Sequence, residues 1–262
     1  MSQERRRKFL SGIAENILLP YEASTIYEEE IAGEFQNRFE REFFEDFATN
    51  VHGDKIVLDL ACGDGRHTSG LAERAKHVVA LDLSTNMLRM AKRKCSAETN
   101  IDFVRGSMFD LPFRENVFDQ IWFSQAFEYV PPDKRKEFLS DLKASLEGNG
   151  FLYMSVESWM YPGFFESLKE FLGDLELHFY WRFVKGKPLL WGEFMYYLAG
   201  DVRERCRGWH YHVHTDRWTL QGLLSSCNFE ILRQRLYDGY IYVLCAPKNT
   251  KARRKLERAN TG

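Results

Sequence analysis

The chain has 262 residues, of which 44% are hydrophobic and 28% charged, with a formal net charge of −2. This composition is that of a globular protein able to bury the core of one large α/β domain with decorations, and it provides no general basic field to attract nucleic acid. No stretch approaches the ~20 apolar residues a membrane span requires, and the five cysteines (Cys62, Cys95, Cys206, Cys227, Cys245) include no C-x-x-C pair, which argues for a reducing, cytoplasmic setting without disulfides or zinc.

The first segment, MSQERRRKFLSGIAENILLP, places basic residues before apolar ones, but Glu15 and Asn16 interrupt the run before it could act as a signal-peptide core, so it reads as a retained surface segment. The basic clusters Arg5 to Lys8 and Lys248 to Gly262 read as solvated ends, with phosphate contact as the sharper alternative. From Ile26 to Phe47 apolar residues recur four apart (Tyr27, Ile31, Phe35, Phe39, Phe43, Phe47), the pattern of an amphipathic helix that must lie on something.

Alternation follows: strand KIVLDL, a helix from Arg66 to Ala75, strand HVVALD, a helix from Ser84 to about Cys95, strand IDFVRG and strand VFDQIWFS. Strands separated by helical patterns imply βαβ units and a parallel sheet. A helix capped by Asp133 buries Phe138, Leu139, Leu142 and Leu146, Gly148 suits its C-terminus, and FLYMSVES is a fifth strand. At the far end, a helix precedes strands Phe229 to Tyr237 and Tyr240 to Ala246, which the short Asp238-Gly239 turn makes a hairpin with at least one antiparallel member. Between strand five and that helix, residues 157–211 carry 15 aromatics in 55 positions, against 15% for the whole chain. Aromatics at that density are costly to leave in water, so the segment is expected to pack as a cap over the carboxyl edge of the sheet, where open α/β folds bind ligands.

The stretch VLDLACGDGRHTSGLAERAKHVVALDLS contains a glycine-rich strand-to-helix turn, which lets backbone approach a ligand closely. In GDGRHT, Thr68 stands where a dinucleotide fold places its third glycine, which counts against NAD. Asp59 precedes the turn and Asp82 closes the next strand 17 residues after Gly65. Two carboxylates framing a loop suit a ligand with a cationic end and a free ribose, such as S-adenosylmethionine: Asp82 accepting from the ribose hydroxyls, carbonyls around Ala61 accepting from the ammonium, and Asp59 adding negative charge.

With VLDLACGDGRHT, VVALDLS, VRGSMFDLPF, VFDQIWFSQAFEYV and GFLYMSV in order, the chain resembles the class I S-adenosylmethionine-dependent methyltransferases, in particular their small single-domain members of the type 11/25 kind. The resemblance implies a Rossmann-like, seven-stranded, mostly parallel sheet with one antiparallel strand. It places Gly63 and Gly65 against the methionine portion, Asp82 on the ribose, Leu83 and Met108 on the adenine faces, and Ser124 with Gln125 beside the reactive methyl. Ser107 stands where many relatives have an aspartate receiving the adenine amino group, and Ala61 replaces a frequent glycine, a mild change if its φ is negative.

The expected organisation is an N-terminal helical extension (1–50), the cofactor-binding core (51–156), the aromatic cap (157–211), closing helix and strands (212–248) and a basic tail (249–262). The expected activity is methyl transfer to an O, N or S atom of a small or medium-sized acceptor. RNA or protein methylation and a non-catalytic, cofactor-binding partner subunit are the alternatives, and a dehydrogenase is the weakest. Gln125, Glu128 and Tyr129 after strand four, and the alternating His210, His212 and His214, which share one face if extended, are the candidate catalytic groups; a histidine near its ordinary pKa would make the rate rise through mildly acidic pH. Three side chains from one strand point in parallel and cannot alone surround a tetrahedral ion, so no metal is expected. No membrane partner is expected, and the oligomeric state is left open.

Overall fold

The computed structural model describes residues 3–22, 38–197 and 209–248. Seven strands form one sheet: β1 (Ile56–Leu60), β2 (His77–Asp82), β3 (Ile101–Arg105), β4 (Phe118–Ser124), β5 (Leu146–Glu157), β8 (Phe229–Tyr237) and β9 (Tyr240–Pro247), in the order β3-β2-β1-β4-β5-β9-β8. The strands from β3 across to β5 pair in parallel, whereas β9 runs antiparallel to both β5 and β8. The expected hairpin is present, with Asp238 and Gly239 both at positive φ (47° and 76°), as its two-residue turn requires.

Both faces of the sheet are buried, so the strands read as nearly continuous apolar runs whose alternate residues feed two cores. Leu58, Leu60, Ile121, Phe123, Leu152 and Met154 pack toward α5 (Arg135–Ser145) and α7 (Arg217–Ser226). Val57, Val78, Trp122, Tyr153, Tyr242 and Leu244 pack toward α2 (Arg38–Ala48) and α3 (Thr68–Ala72). Trp122 and Tyr153 stack at 3.6 Å between ring centroids, with Phe47 tilted against both. Phe43 and Phe47 bear out the four-residue spacing; its earlier part, residues 26–37, lies outside the described residues, as does the basic tail 249–262. Ser84 caps α4 (Thr85–Lys94) by accepting from the amide of Met87. The expected cap at Asp133 is corrected: Lys134 occupies that position without a side-chain bond, and β5 begins at Leu146, so Gly148 lies in a strand and ends no helix.

The N-terminus differs most from expectation. Residues Gln3–Glu22 form helix α1, and Arg6, expected in solvent, is only 6% exposed. Its guanidinium donates to Glu193 Oε2 at 2.7 Å, to Asp133 Oδ1 at 2.9 Å and to the Pro188 carbonyl at 3.0 Å. Phe9, Leu10 and Ile13 of the same helix pack on Tyr211 and Val213. At the other end of α1, the Tyr21 carbonyl accepts from Asn86 Nδ2 at 3.0 Å, and Glu22 accepts from the Thr85 amide at 2.8 Å, so α1 is strapped onto the start of α4.

The aromatic segment forms α6 (Phe164–Phe179), a π-turn (Tyr180–Val184) and strand β6 (Glu193–Tyr197), which pairs antiparallel with β7 (Trp209–Val213). Part of its aromatic surface is buried, as at Trp181 and Tyr211. Phe164, Phe165, Phe183 and Trp191 are exposed, contrary to the expectation from their density. No described helix is long and apolar enough to cross a membrane.

Glu193 is completely buried, so its carboxylate depends on Arg6 for charge compensation. Replacing Arg6 with Met should therefore destabilise the fold by about 3–5 kcal/mol, because it leaves an uncompensated buried charge. Adding Glu193→Gln should recover much of the loss. Denaturant unfolding measures both, and a single-variant loss below about 1 kcal/mol would show that α1 is held by its apolar contacts alone.

Candidate active site

Parallel strands bring their carboxyl ends to one edge, and β1 has β2 on one side and β4 on the other, so the crevice opens where strand order reverses. A cavity lies there, lined by the turn after β1 (Ala61, Cys62, Gly63, Asp64, Arg66, His67), the end of β2 (Asp82, Leu83, Ser84), the loop after β3 (Gly106, Ser107, Met108, Phe109) and the end of β4 (Ser124, Gln125, Ala126, Tyr129). Asp59 and Trp122 form part of its floor, and Leu18 and Tyr21 of α1 close over it.

Asp82 joins two of these segments: its Oδ2 accepts from the amide of Gly63 at 2.9 Å and its Oδ1 from that of Ser84 at 2.8 Å. A backbone hydrogen bond from Leu83 adds to these two, leaving part of the acceptor capacity of the carboxylate, about four lone-pair sites, for a further donor. Burial raises the Asp82 pKa against these hydrogen bonds. Gly63 has φ +55° and no atom within 4 Å of where a Cβ would stand, so its bare backbone faces open space. Leu83, Met108 and Phe109 give apolar surface on the β2–β3 side. The Ser107 hydroxyl accepts from the amide of Phe109 at 3.1 Å, so part of its acceptor capacity is already committed.

Two sequence readings are corrected. Gly65 is not a lining residue; a Cβ there would lie 2.9 Å from Ala91 Cβ, so its φ of +80° and missing side chain serve the close approach of α4. Ala61 has φ +56°, not a negative φ, so replacing glycine there holds an alanine in the left-handed region at a cost of about 1–2 kcal/mol.

At the β4 end, Glu40 of α2 is buried, and its Oε1 accepts from Arg66 Nη2 at 2.8 Å and from Ser124 Oγ at 3.1 Å, with His67 Nε2 at 2.9 Å. Burial lowers the pKa of His67, outweighing Glu40. Gln125 has φ +52°; its amide nitrogen donates to Ser155 Oγ at 3.0 Å, while its Nε2 is buried without a partner among the described residues. Glu40, Arg66, His67 and Tyr21 escaped sequence reasoning. The one available signal was the apolar stripe of α2, which carries Glu40 toward the sheet beside Phe43 and Phe44.

The three histidines separate. His210 and His212 share a face of β7, and His214 lies past the strand end. His210 Nε2 is 3.0 Å from Tyr129 Oη, which is 2.8 Å from Tyr21 Oη, so His210 stands behind two lining residues and is not one itself. His212 bonds Glu157, and His214 bonds Asp174 at 2.7 Å and Glu157 at 3.4 Å. Burial, with His212 adding to it, pushes the His210 pKa down to about 3, whereas at His214 burial is outweighed by Asp174 and Glu157, which push it up to about 10. Neither titrates through the mildly acidic range expected from the sequence.

Asp59 is buried beneath the turn, accepts from Thr68 Oγ1 at 2.6 Å, and burial raises its pKa from 3.8 to about 7 against that hydrogen bond. The folded carboxyl therefore holds its proton more tightly than the unfolded one, and its contribution to stability falls as pH rises from about 4 to 7. Asp59→Asn, which keeps an acceptor for Thr68, should flatten this dependence and be more stable than wild type at pH 8 by on the order of 2–4 kcal/mol. Thermal unfolding from pH 5 to 8 checks this; parallel profiles for the two proteins would mean that Asp59 stays ionised.

A family model described as a methyltransferase domain matches residues 57–150. Demethylmenaquinone methyltransferases of Staphylococcus saprophyticus and Bacillus licheniformis are 34% and 30% identical over 97 and 141 residues; these matches take in 36% and 52% of this chain and 40% and 55% of theirs, so the chain spans about half the length of these relatives. A Synechocystis protein named as an uncharacterised methyltransferase is 31% identical over 187 residues, 70% of each chain. The DhpI–SAH complex superposes with a TM-score of 0.64 at 19% identity, covering 91% of this chain and 98% of that one. The N-methyltransferase NodS of Bradyrhizobium japonicum superposes with a TM-score of 0.57 at 13% identity, covering 88% and 97%. The solved structures establish the fold, and the similarity to the Synechocystis protein over more than two thirds of its length adds the family: the chain belongs to the class I methyltransferases that use S-adenosylmethionine.

Proposed function

We propose that the protein transfers a methyl group from S-adenosylmethionine to an O, N or S atom of a small or medium-sized acceptor. The observation that carries this reading is the roof of the cavity: Leu18 and Tyr21 of α1 close over the same space that the turn after β1, Asp82 and the end of β4 line. A roofed space suits a small molecule better than an RNA or protein chain, and the demethylmenaquinone methyltransferases support the same class of acceptor by their names. Arg6, in the basic cluster that favoured RNA, is committed to Glu193 and Asp133.

The residues fit the cofactor. The bare backbone of Gly63, with carbonyls near Ala61 and the carboxyl of Asp59, which a bound cation would help to ionise, suits the amino-acid end; Asp82 has acceptor capacity for the ribose hydroxyls; Leu83 and Met108 suit the faces of a base, beside Ser107. When bound, S-adenosylmethionine supplies a methyl group on a sulfonium that is its own leaving group, so the protein needs mainly to align the reactants. Ser124 and Gln125 stand at the end of β4, where the Nε2 of Gln125, without a partner among the described residues, offers a donor to the acceptor. Tyr129 lines the cavity with its hydroxyl between the Tyr21 hydroxyl and the His210 ring; we assign Tyr129 to the acceptor side and His210 a positioning role behind it. His212 and His214 bond Glu157 and Asp174 and are not assigned to the acceptor.

Incubation with labelled S-adenosylmethionine and fractionated cell extract tests the activity. Label in small metabolites is expected, and label confined to RNA or protein, or none, would overturn the reading. Asp82→Ala should weaken S-adenosylmethionine binding at least about tenfold, since each hydrogen bond to a charged group is worth roughly 1.5–3 kcal/mol. Unchanged affinity by calorimetry would remove the ribose assignment. With an acceptor in hand, Tyr129→Phe and His210→Gln should each lower kcat while leaving cofactor affinity within about twofold, and the double variant should lose little more than Tyr129→Phe alone. Additive losses would show that His210 acts independently of Tyr129.

A further inference from the structure

Beside Tyr129, the end of β5 and the end of β7 converge. Glu157 ends β5, His212 lies in β7 and His214 follows that strand, and one donor atom from each lies within 4.8 Å of the others. His214 Nε2 is 3.4 Å from Glu157 Oε2, and His212 Nε2 bonds the same oxygen. We propose that Glu157, His212 and His214 form a site for one divalent first-row transition ion, with zinc as the best match.

Three features support a metal rather than a simple ionic cluster. The donor set, two imidazole nitrogens and one carboxylate, is one that binds zinc with three protein ligands; metal–ligand bonds of about 2.1 Å require donors about 3.4 Å apart in a tetrahedron, a spacing His214 and Glu157 have and one that His212 reaches when its hydrogen bond to Glu157 opens around the ion. The second ring nitrogen of His214 is held by Asp174 at 2.7 Å, and Glu157 Oε1 accepts from Tyr240 Oη at 3.1 Å. A carboxylate behind a ligating histidine fixes its ring and strengthens it as a donor. The third feature answers the objection that histidines from one strand point in parallel: Glu157 reaches the group from a different sheet, and His214 has left β7.

Coordination uses the lone pair on each Nε2, so the protons now directed at Glu157 leave to solvent as the N–metal bonds form. Among the described residues the group has three donors, which leaves a fourth position for water or an oxygen of a ligand. The His212 ring is 5.5 Å from that of Tyr129, a lining residue of the cavity, so the ion would border its acceptor end.

The test uses the full chain, stripped with chelator and titrated with Zn2+ by calorimetry, with metal retained after desalting counted by elemental analysis. One ion per chain is expected, and Co2+ in its place should give the strong visible absorption of a four-coordinate site. Glu157→Gln, His212→Gln and His214→Gln should each weaken zinc binding by at least tenfold, and Asp174→Asn, which touches no ion, by about 10–100-fold. Cooperative thermal unfolding verifies that each variant folds; should a histidine variant fail to fold, Glu157→Gln and Asp174→Asn decide. Absence of stoichiometric zinc in the wild-type chain, or affinity unchanged in Glu157→Gln and Asp174→Asn, would overturn the proposal, the second result placing the ion elsewhere.

Discussion

The carboxylate of Asp82 fixes the geometry on which the cavity depends. One oxygen holds the amide of Gly63 and the other that of Ser84, so the turn leaving β1 and the helix start leaving β2 are locked to each other through a single side chain. Ser84 in turn caps α4, and α4 presses on the turn closely enough that Gly65 tolerates no Cβ. Turn, strand end and helix therefore form one rigid unit at the edge of the cavity. The same contacts that stabilise the strand–turn–helix unit prepare its binding edge.

The β4 side is organised by a second buried carboxylate. Glu40 gathers Arg66 and His67 from one loop and Ser124 from another strand. It reaches them because Phe43, Phe44 and Phe47 seat α2 on Trp122 and Tyr153. Apolar packing thus positions a polar hub next to the cavity, and the two functions share one helix. Two residues here carry strain: Ala61 and Gln125, both at positive φ and neither of them asparagine or aspartate, lie at the ends of adjacent strands, where surrounding contacts hold conformations that an isolated chain would avoid.

Much of this was legible in the sequence where the cause is local. Alternating apolar runs fixed the strands, Ser84 announced its helix, and Asp82 identified itself by closing a strand after a glycine-rich turn. The glycines were only half legible: sequence says that a Cβ is unwelcome, but not whether a ligand or a helix stands in its way, and Gly65 proved to face Ala91. Asp133 was misread as a cap because its partner, Arg6, is far away in sequence. The histidines show the same limit, since period two placed His210 and His212 on one face of β7 but could not reveal that Tyr129 receives one and Glu157 the other.

That long reach has a consequence for how the molecule assembles. Arg6 and Glu193 are 187 residues apart, and Phe9, Leu10 and Ile13 rest on β7, which is later still. On an emerging chain the C-terminal end of α1 can meet α4 as soon as the strands from β1 to β5 begin to pair, whereas its N-terminal end has neither Glu193 nor β7 to rest on until most of the polypeptide has been made. Closing so long a loop costs entropy that only the finished interface repays. The two ends of α1 are thus secured at different times, the end beside the cavity first and the Arg6 end last, so until β7 is made Phe9, Leu10 and Ile13 lack the surface that covers them.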